Sequence, residues 1–351
     1  MRLLREATVW TLGLSLALLL PLSSSAQSPD QPTPGAGLHQ DVLQTQPRAS
    51  LAEEGALFLL LPSGAQGVAL GRAMTAISSS ESAFWNPAGL AALEESRLLL
   101  LRGEHVAGEA TGFSAILAGD RRGALGISYQ LLDVGTQDLT DLDRNVVGSI
   151  SVRSHQALLS GGIKVGGRSR VGANVKSIQY RVSCRGQCPD GTVSATSYAV
   201  DLGMQSRPFR SLPLEMGLMV AHLGGDFQVA QSEQADPLPA RIRFGAAYDI
   251  LDAFVEENLS MKVLTEVEDR LWDPGTLSLF LGTEFLASAG AVDEVSVRGG
   301  YVFGNRNQTD GAGLGFGARY ERFEFGIARS LARGGPTSGN EPVHFTLGFL
   351  F

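Results

Sequence analysis

Side chains alternate between apolar and small or polar types from residue 97 to the end of the chain. The last run shows this most plainly, because one of its faces consists of Val343, Phe345, Leu347, Phe349 and Phe351. A period of two is that of a β-strand, whose successive side chains point to opposite faces. The pattern therefore predicts many strands with one apolar face each.

Fourteen such runs follow one another, and they predict an all-β fold: a transmembrane antiparallel β-barrel of about 14 strands. In the first half the expected strands are 97–105, 111–118, 124–132, 155–165, 171–182, 195–205 and 212–222. An even number returns both chain ends to the periplasm, so the stretch 146–151 is assigned to a loop. A phase change between Val175 and Ile178 predicts a β-bulge.

The faces opposite to the apolar ones carry charges, which distinguishes a barrel from a soluble sandwich. Arg241, Arg243 and Glu266 are examples. Such charges are costly in a dry core but tolerated in a wet lumen. Tight turns alternate with longer connections along the chain, and the longer ones are expected to be extracellular: 133–154, 183–194, 224–238 and 332–342.

The N-terminus has the layout of a signal peptide spanning residues 1–26. Arg2 and Arg5 precede an apolar stretch at 10–22, and Ser24-Ser25-Ala26 forms the cleavage site. The stretch is too short for a membrane-spanning helix, which needs about 20 residues. Residues 27–56, rich in Pro, Gln, Ser and Ala, are expected to form a flexible periplasmic leader. The predicted location is the bacterial outer membrane.

Residues 57–95 lack a period of two and precede the predicted barrel at 96–351. They are rich in glycine and contain Trp85-Asn86-Pro87-Ala88-Gly89. We interpret this range as a plug segment, a hatch that folds into the barrel mouth and gates it; simple turn chemistry at Asn86 and Pro87 is the alternative. Glycines at every second position of 311–317 give a strand face without side chains, which lets the plug approach closely.

The plug segment also carries a family resemblance. Gly64, Ala65, Gly71, Arg72 and Ala73, followed by the string 83–90, resemble the N-terminal signature of the PorV/PorQ family. That family is itself similar to FadL-type transporters of hydrophobic compounds. The resemblance implies a 14-stranded barrel plugged by its N-terminal segment. It further implies either passage of hydrophobic compounds or a role in receiving cargo of a type IX secretion system. Some thirty residues carry the match, and the rest is similar in architecture only.

Two further features fit a secreted barrel. The final strand, with Phe345, Leu347, Phe349 and Phe351, has the pattern recognised by the barrel-assembly machinery. The alternative interpretation is an edge strand without such a role. Cys184 and Cys188 lie in a turn-rich loop and are expected to form a local disulfide.

Other chemistry is not indicated by the sequence. The five histidines lie singly and give no metal-ligand spacing, and no cofactor is expected. The net charge is −8, without a dense basic run, so nucleic acid is not an expected partner. No nucleophile-elbow motif occurs, and we predict no enzymatic activity.

The predicted function is passage of hydrophobic small molecules across the outer membrane. The expected partners are outer-membrane lipids, the barrel-assembly machinery, and hydrophobic small molecules or a secreted protein. Two alternatives stay open: an accessory or docking barrel of a protein secretion system, and a general diffusion porin.

Overall fold

A computed structural model describes residues 54–105, 107–119, 122–188, 191–228, 235–251, 258–289, 292–304, 310–332 and 342–351. The predicted signal peptide and leader residues 27–53 lie outside this described part. The plug segment contains two 3₁₀ helices, Leu57–Leu60 and Pro87–Ala92, and two short α-helices, α1 (Ala65–Ala69) and α2 (Ser82–Trp85). None of the described helices is long and apolar enough to cross a membrane.

Fourteen antiparallel strands of the described chain form a closed barrel, which confirms the predicted fold class. The first seven are β1 (Arg97–His105), β2 (Gly108–Gly119), β3 (Gly123–Thr140), β4 (Val146–Val165), β5 (Ser169–Gly186), β6 (Val193–Ser206) and β7 (Leu214–Gly224). A separate pair, β8 (Phe227–Gln228) and β9 (Ala235–Asp236), lies in the next connection. The other seven are β10 (Arg241–Asp249), β11 (Leu259–Arg270), β12 (Ser278–Ala289), β13 (Val292–Phe303), β14 (Gly311–Tyr320), β15 (Phe323–Ala332) and β16 (Val343–Leu350).

The barrel closes between its first and last strands, where Arg97 of β1 faces Leu350 of β16. We call the end that contains these two residues the lower end, and the opposite end the upper end. Most lower connections are short turns, for example between β14 and β15, whereas the connection between β7 and β10 crosses the upper end.

The alternation predicted from the sequence appears as two distinct barrel faces. On β1, Leu98 and Leu100 are about half exposed, while Leu99 and Leu101 are buried. On β16, Phe345 and Leu347 point outward and His344 and Thr346 are buried inside. Apolar side chains on the outside of a closed barrel are suited to contact with lipid.

The assignment of residues 146–151 to a loop was wrong. Val146 begins β4, which pairs with an extended β3 as far as Thr140. The predicted loop 133–154 shrinks to residues 141–145, because the first strong turn sequence is Asp141-Leu142-Asp143-Arg144-Asn145. The strand count is unaffected, since these residues lengthen an existing hairpin.

The β-bulge predicted between Val175 and Ile178 was also wrong. The ladders of β5 with β4 and with β6 run through this region without a register shift. Val175 points outward, and Lys176 and Ile178 are both buried inside. The apparent phase change arises because Ile178 is an apolar side chain on the inner face, where it packs with Leu59 and Phe227.

The expectation of charges in a wet lumen needs a correction as well. Arg241, Arg243 and Glu266 do point inward, but each is at least 95% buried. The plug segment fills the lumen beside them, so these charges are satisfied by protein groups. Arg243, for example, lies beside the carboxylate of Glu268. This part of the lumen is a packed polar interior.

Candidate functional site: a plugged lumen with an apolar upper cavity

The plug segment, residues 57–95, enters the barrel lumen from the upper end. Just before it, the Glu54 carboxylate accepts from both terminal nitrogens of Arg241, at 2.7 and 2.8 Å, and from Nε of Arg270 at 2.9 Å. The Gly55 amide donates to the Pro237 carbonyl at 2.9 Å. The segment leads to Arg97 at the lower end, so it passes through the whole lumen.

Helix α1 is fixed to the wall through one buried acid of the plug, Glu81. Its carboxylate accepts from the backbone amides of Gln66 and Gly67 at 3.1 and 3.0 Å, where the unpaired amides of the first helical turn lie. The Thr346 hydroxyl of β16 donates to it at 2.7 Å and accepts from the Ala65 amide at 2.9 Å. Burial raises the pKa of Glu81, although these hydrogen bonds act to lower it.

The inner wall meets the plug segment along a belt of glycines. A Cβ added to Gly172 of β5 would lie 2.5 Å from the Pro87 carbonyl oxygen, and one on Gly300 of β13 would lie 2.7 Å from that of Leu70. This close backbone approach excludes side chains. We define the glycine belt as Gly162, Gly172, Gly203, Gly217, Gly245, Gly282, Gly300, Gly313, Gly315 and Gly326.

Asn86 is the most connected of the predicted gate residues. It is fully buried and its Nδ2 donates to the Thr75 carbonyl at 2.7 Å. Its Oδ1 accepts from the Ala88 amide at 3.1 Å and so caps the helix Pro87–Ala92. Gly203 of β6 leaves the space that Asn86 occupies. Asn86 thereby joins two turns of the plug to the wall.

Replacing Asn86 with Ala removes the helix cap and leaves the Thr75 carbonyl with one donor fewer. We expect the plug to loosen locally by about 1–2 kcal/mol. Hydrogen exchange of the amides at 88–92 would then be roughly 5 to 30 times faster, while exchange in the barrel strands stays unchanged. Glu95→Ala, at an exposed position after the same helix, is the control. Equal exchange in Asn86→Ala and the wild type would contradict this role.

The neighbours of Asn86 pack in the same place. Trp85 is 4% exposed, its indole nitrogen donates to the Ser63 carbonyl at 2.9 Å, and the Arg243 guanidinium lies 5.8 Å above its ring. Pro87 and Ala88 rest on Gly172 of the belt. Gly89 lies against Ser82, where a Cβ would meet the serine oxygen at 2.5 Å. Of the five predicted gate residues, Asn86, Pro87 and Ala88 lie against β5 and β6, whereas Trp85 faces β10.

A buried ion pair stands beside this region of the wall. Lys176 Nζ lies 2.7 Å from Asp201 Oδ2, and both side chains are at most 1% exposed. Asn174 donates to the same oxygen at 2.8 Å, and the His222 amide donates to the other at 2.9 Å. The ladder of β6 and β7 shifts register at Asp201, and His222 adopts φ 61°. The carboxylate thus holds an irregular stretch of wall together.

A cavity of about 360 Å³ lies at the upper end between the plug and the wall. Such a volume suits a small organic ligand. Most of its lining is apolar, and the plug and wall contribute Leu57, Leu60, Leu61, Pro62, Val68 and Val302. The polar exceptions include Arg72, His105, Ser330 and His344.

Arg72 and the two histidines hold defined positions in this lining. The Arg72 guanidinium donates to the Leu60 carbonyl and lies 5.7 Å above the Phe280 ring. Burial lowers the pKa of Arg72 to about 10, so it stays protonated at neutral pH. The His105 and His344 rings meet edge to face, with centroids 4.9 Å apart.

The lower end is lined differently. A cavity of about 380 Å³ contains charged side chains such as Glu81, Arg97 and Arg319. A second, of about 820 Å³, is bordered by Arg168, Arg207 and Lys262. Val68 of α1 lines the upper cavity and Gln66 lines the first lower one, so α1 stands between apolar and polar spaces.

The remaining predicted residues lie away from the plug. Phe345 and Leu347 point outward, and the ring of Phe349 lies between those of Phe323, at 5.5 Å, and Phe351, at 6.3 Å. Cys184, near the upper end of β5, is joined to Cys188 by a disulfide with Cα atoms 6.2 Å apart. These two sets are separate from each other and from the plug.

The sequence reasoning missed Arg72, Glu81, His105 and His344 as parts of the lumen site. Inward alternation could have placed His105 and His344 on the inner face, but their contact spans 239 residues of sequence. Glu81 gave no signal, since its partners come from α1 and β16. Among the described residues, no three His, Cys, Asp or Glu side chains are placed to hold a metal ion.

Comparison with known proteins gives likeness in structure only. No protein-family model matches the chain, and no curated protein matches its sequence. The CymD monoaromatic hydrocarbon channel superposes with a TM-score of 0.57 at 12% identity, over 83% of this chain and 98% of that one.

Two Pseudomonas structures give the same picture. The P. putida toluene transporter TodX matches with a TM-score of 0.50 at 11% identity, over 82% of this chain and 96% of that one. A P. aeruginosa FadL homologue matches with a TM-score of 0.52 at 12% identity, over 83% and 98%. The described chain therefore shares its barrel fold with these hydrocarbon channels and with the FadL homologue.

Proposed function

We propose that the protein is an outer-membrane channel of the FadL type that passes hydrophobic small molecules. The upper cavity carries this proposal, because it is an apolar space of ligand size inside a barrel whose outer face is apolar. The fold shared with channels for hydrophobic compounds supports it.

In this proposal, residues 1–26 direct export and the barrel-assembly machinery recognises the aromatic strand β16. The upper end then faces the outside and the lower end the periplasm, in keeping with the longer upper connections. A hydrophobic molecule enters the upper cavity, and a shift of the plug around Asn86 opens the way to the lower cavities.

Filling the upper cavity should abolish the binding of hydrophobic small molecules. Ser330 and Gly313 face each other across β15 and β14 and line the cavity, so Ser330→Trp places an indole inside it. We expect saturation-transfer NMR with toluene to show binding to the wild-type barrel in nanodiscs and a background signal for Ser330→Trp. Leu331→Trp, one residue further and on the outer face, is the matched control. Wild-type binding by Ser330→Trp would remove the cavity from the proposal.

One observation favours a second candidate, a docking barrel like those of the PorV/PorQ family in protein secretion. Strands β3 to β5 extend past their neighbours at the upper end: β2 pairs with β3 only as far as Asp133, and β6 with β5 only as far as Val182. In the described pairings, both outer edges of this projecting sheet have no neighbouring strand. An edge of this kind can pair with a strand of another protein. A stoichiometric protein co-purified from native membranes would favour docking, whereas apolar ligand in the lumen would favour transport.

A further inference from the structure

A small internal pocket of about 20 Å³ lies between the plug and the wall. The plug contributes Ser63, Arg72 and Trp85 to its lining, and the wall contributes side chains of β3, β4, β5, β7 and β10. A pocket of this volume holds a particle of about the size of one water molecule. It is therefore too small for the organic molecules of the proposed function.

The lining of this pocket is positively charged. Arg72, Lys176 and Arg243 border it, and no Asp or Glu is among its lining residues. Each of the three cations is at most 9% exposed. The acids that pair with two of them lie outside the lining, since Asp201 is beside Lys176 and Glu268 is beside Arg243. A buried space bordered by charges of one sign attracts the opposite charge.

Arg72 is the cation whose charge is least balanced. Its guanidinium donates to a neutral carbonyl, that of Leu60. Glu268 is the acid that attracts it most, but the Glu268 carboxylate lies 2.5 Å from Arg243. Arg72 Nε is inaccessible to solvent and has no hydrogen-bond partner within the described part of the chain. A buried cation without a counterion is strongly unfavourable, so the pocket has both a donor and a positive charge to satisfy.

Neutral amide groups complete the polar lining. Gln130 of β3 and Gln156 of β4 face each other across the ladder, and both border the pocket. The Ser63 hydroxyl donates to Oε1 of Gln130 at 2.9 Å, so the acceptor end of this amide is already engaged. Its nitrogen is a donor. Cationic and N–H groups around one small space are the partners that an anion needs.

We propose that this pocket binds one small inorganic anion of the size of chloride, which joins the plug to the wall. Chloride is only slightly larger than a water molecule, and it supplies the negative charge that Arg72 lacks. A water molecule would fit as well, but it would leave that charge unbalanced. The inference goes beyond the proposed function, because the pocket differs from the upper cavity in size and in charge.

Bromide provides the test, because it is a close substitute for chloride and quenches the fluorescence of a tryptophan that it contacts. Trp85 lines the pocket and is 4% exposed, so ions in solution do not reach its ring by collision. Trp272→Phe removes the other tryptophan of the described chain, which is 71% exposed. The full barrel with this change is titrated with bromide at constant ionic strength, with gluconate as an anion too large for the pocket. We expect saturable quenching that added chloride reverses.

Three further substitutions locate the bound ion. Arg72→Gln should weaken bromide binding at least about tenfold, whereas Arg319→Gln, at an arginine of the lower cavity, should leave it unchanged. Gln156→Leu keeps the plug sequence intact and should weaken binding several-fold, which covers the case in which Arg72→Gln does not fold. Absence of saturable quenching in the folded barrel, or equal bromide affinity after Arg72→Gln, would overturn the inference and leave the channel proposal standing.

The link between plug and wall has its own measurement. The bound anion contacts both, so deuterium exchange of the plug amides around Arg72 should be slower in chloride than in gluconate at the same ionic strength. This difference should vanish in Arg72→Gln. Equal exchange of these amides in the two salts would contradict the proposed link.

Discussion

Gly300→Val is expected to let ions leak through the barrel, because it displaces the plug. Gly300 of β13 faces the plug, and a Cβ there would lie 2.7 Å from the Leu70 carbonyl oxygen. The plug atoms that would clash with this Cβ are backbone atoms, so no side-chain rotation can relieve the clash. Overpacking of this kind costs about 1–3 kcal/mol or more. We expect α1 to be displaced from the barrel wall. Planar-bilayer recordings should then show a persistent ion current that is absent in the wild type.

The adjacent glycine provides the control. Gly299 lies on the outer face of the same strand, and a Cβ there would meet only the Leu314 side chain at 3.5 Å. Gly299→Val should therefore insert normally and stay closed. Heat-modifiable gel mobility shows that each variant is a folded barrel. If the folded Gly300→Val variant passes no more ion current than the wild type, the glycine belt does not hold the plug in place.

Asp201→Asn is expected to destabilise the barrel wall strongly. The change leaves the Lys176 ammonium buried without its counterion, and breaking a buried pair in this way costs about 3–5 kcal/mol. Urea unfolding of the detergent-solubilised barrel, followed by tryptophan fluorescence, should show a lower midpoint for this variant.

Two comparisons isolate the charge effect. Lys176→Met combined with Asp201→Leu removes both charges and should recover much of the loss, because an apolar pair of similar volume is tolerated in a buried site. Glu109→Gln breaks the exposed pair with Arg102, whose side chains are 57% and 61% exposed, and should have little effect. If Asp201→Asn unfolds at the wild-type midpoint, the buried pair does not hold the wall.

The barrel could be predicted from the sequence because its signal is local. Outward and inward side chains alternate along each strand, so runs such as 97–105 are visible without knowledge of their partners. The errors arose where local signals are ambiguous. Ile178 is apolar on an inner face, and 146–151 continues a strand beyond the wall without a breaker.

The site could be predicted only in part, since its contacts are distant in sequence. The string 85–89 and the alternate glycines of β14 indicated a plug against a bare wall, and Gly313 and Gly315 do lie against Val68 and Ala69. Partners were not predictable: Glu54 meets Arg241 across 187 residues. The number of inward charges was visible in the sequence, but their pairing depends on strand register and on the path of the plug.

Disulfide trapping of Ala65→Cys with Gly326→Cys tests most directly whether the N-terminal segment is packed inside the barrel. A Cβ on Gly326 would lie 3.3 Å from that of Ala65, close to the spacing of about 3.5–4.5 Å in disulfides. We expect rapid intramolecular cross-linking of this pair in native outer membranes, and none for Ala65→Cys with the outward Gly299→Cys. Free, alkylatable thiols at both positions of the first pair in a folded barrel would contradict the account.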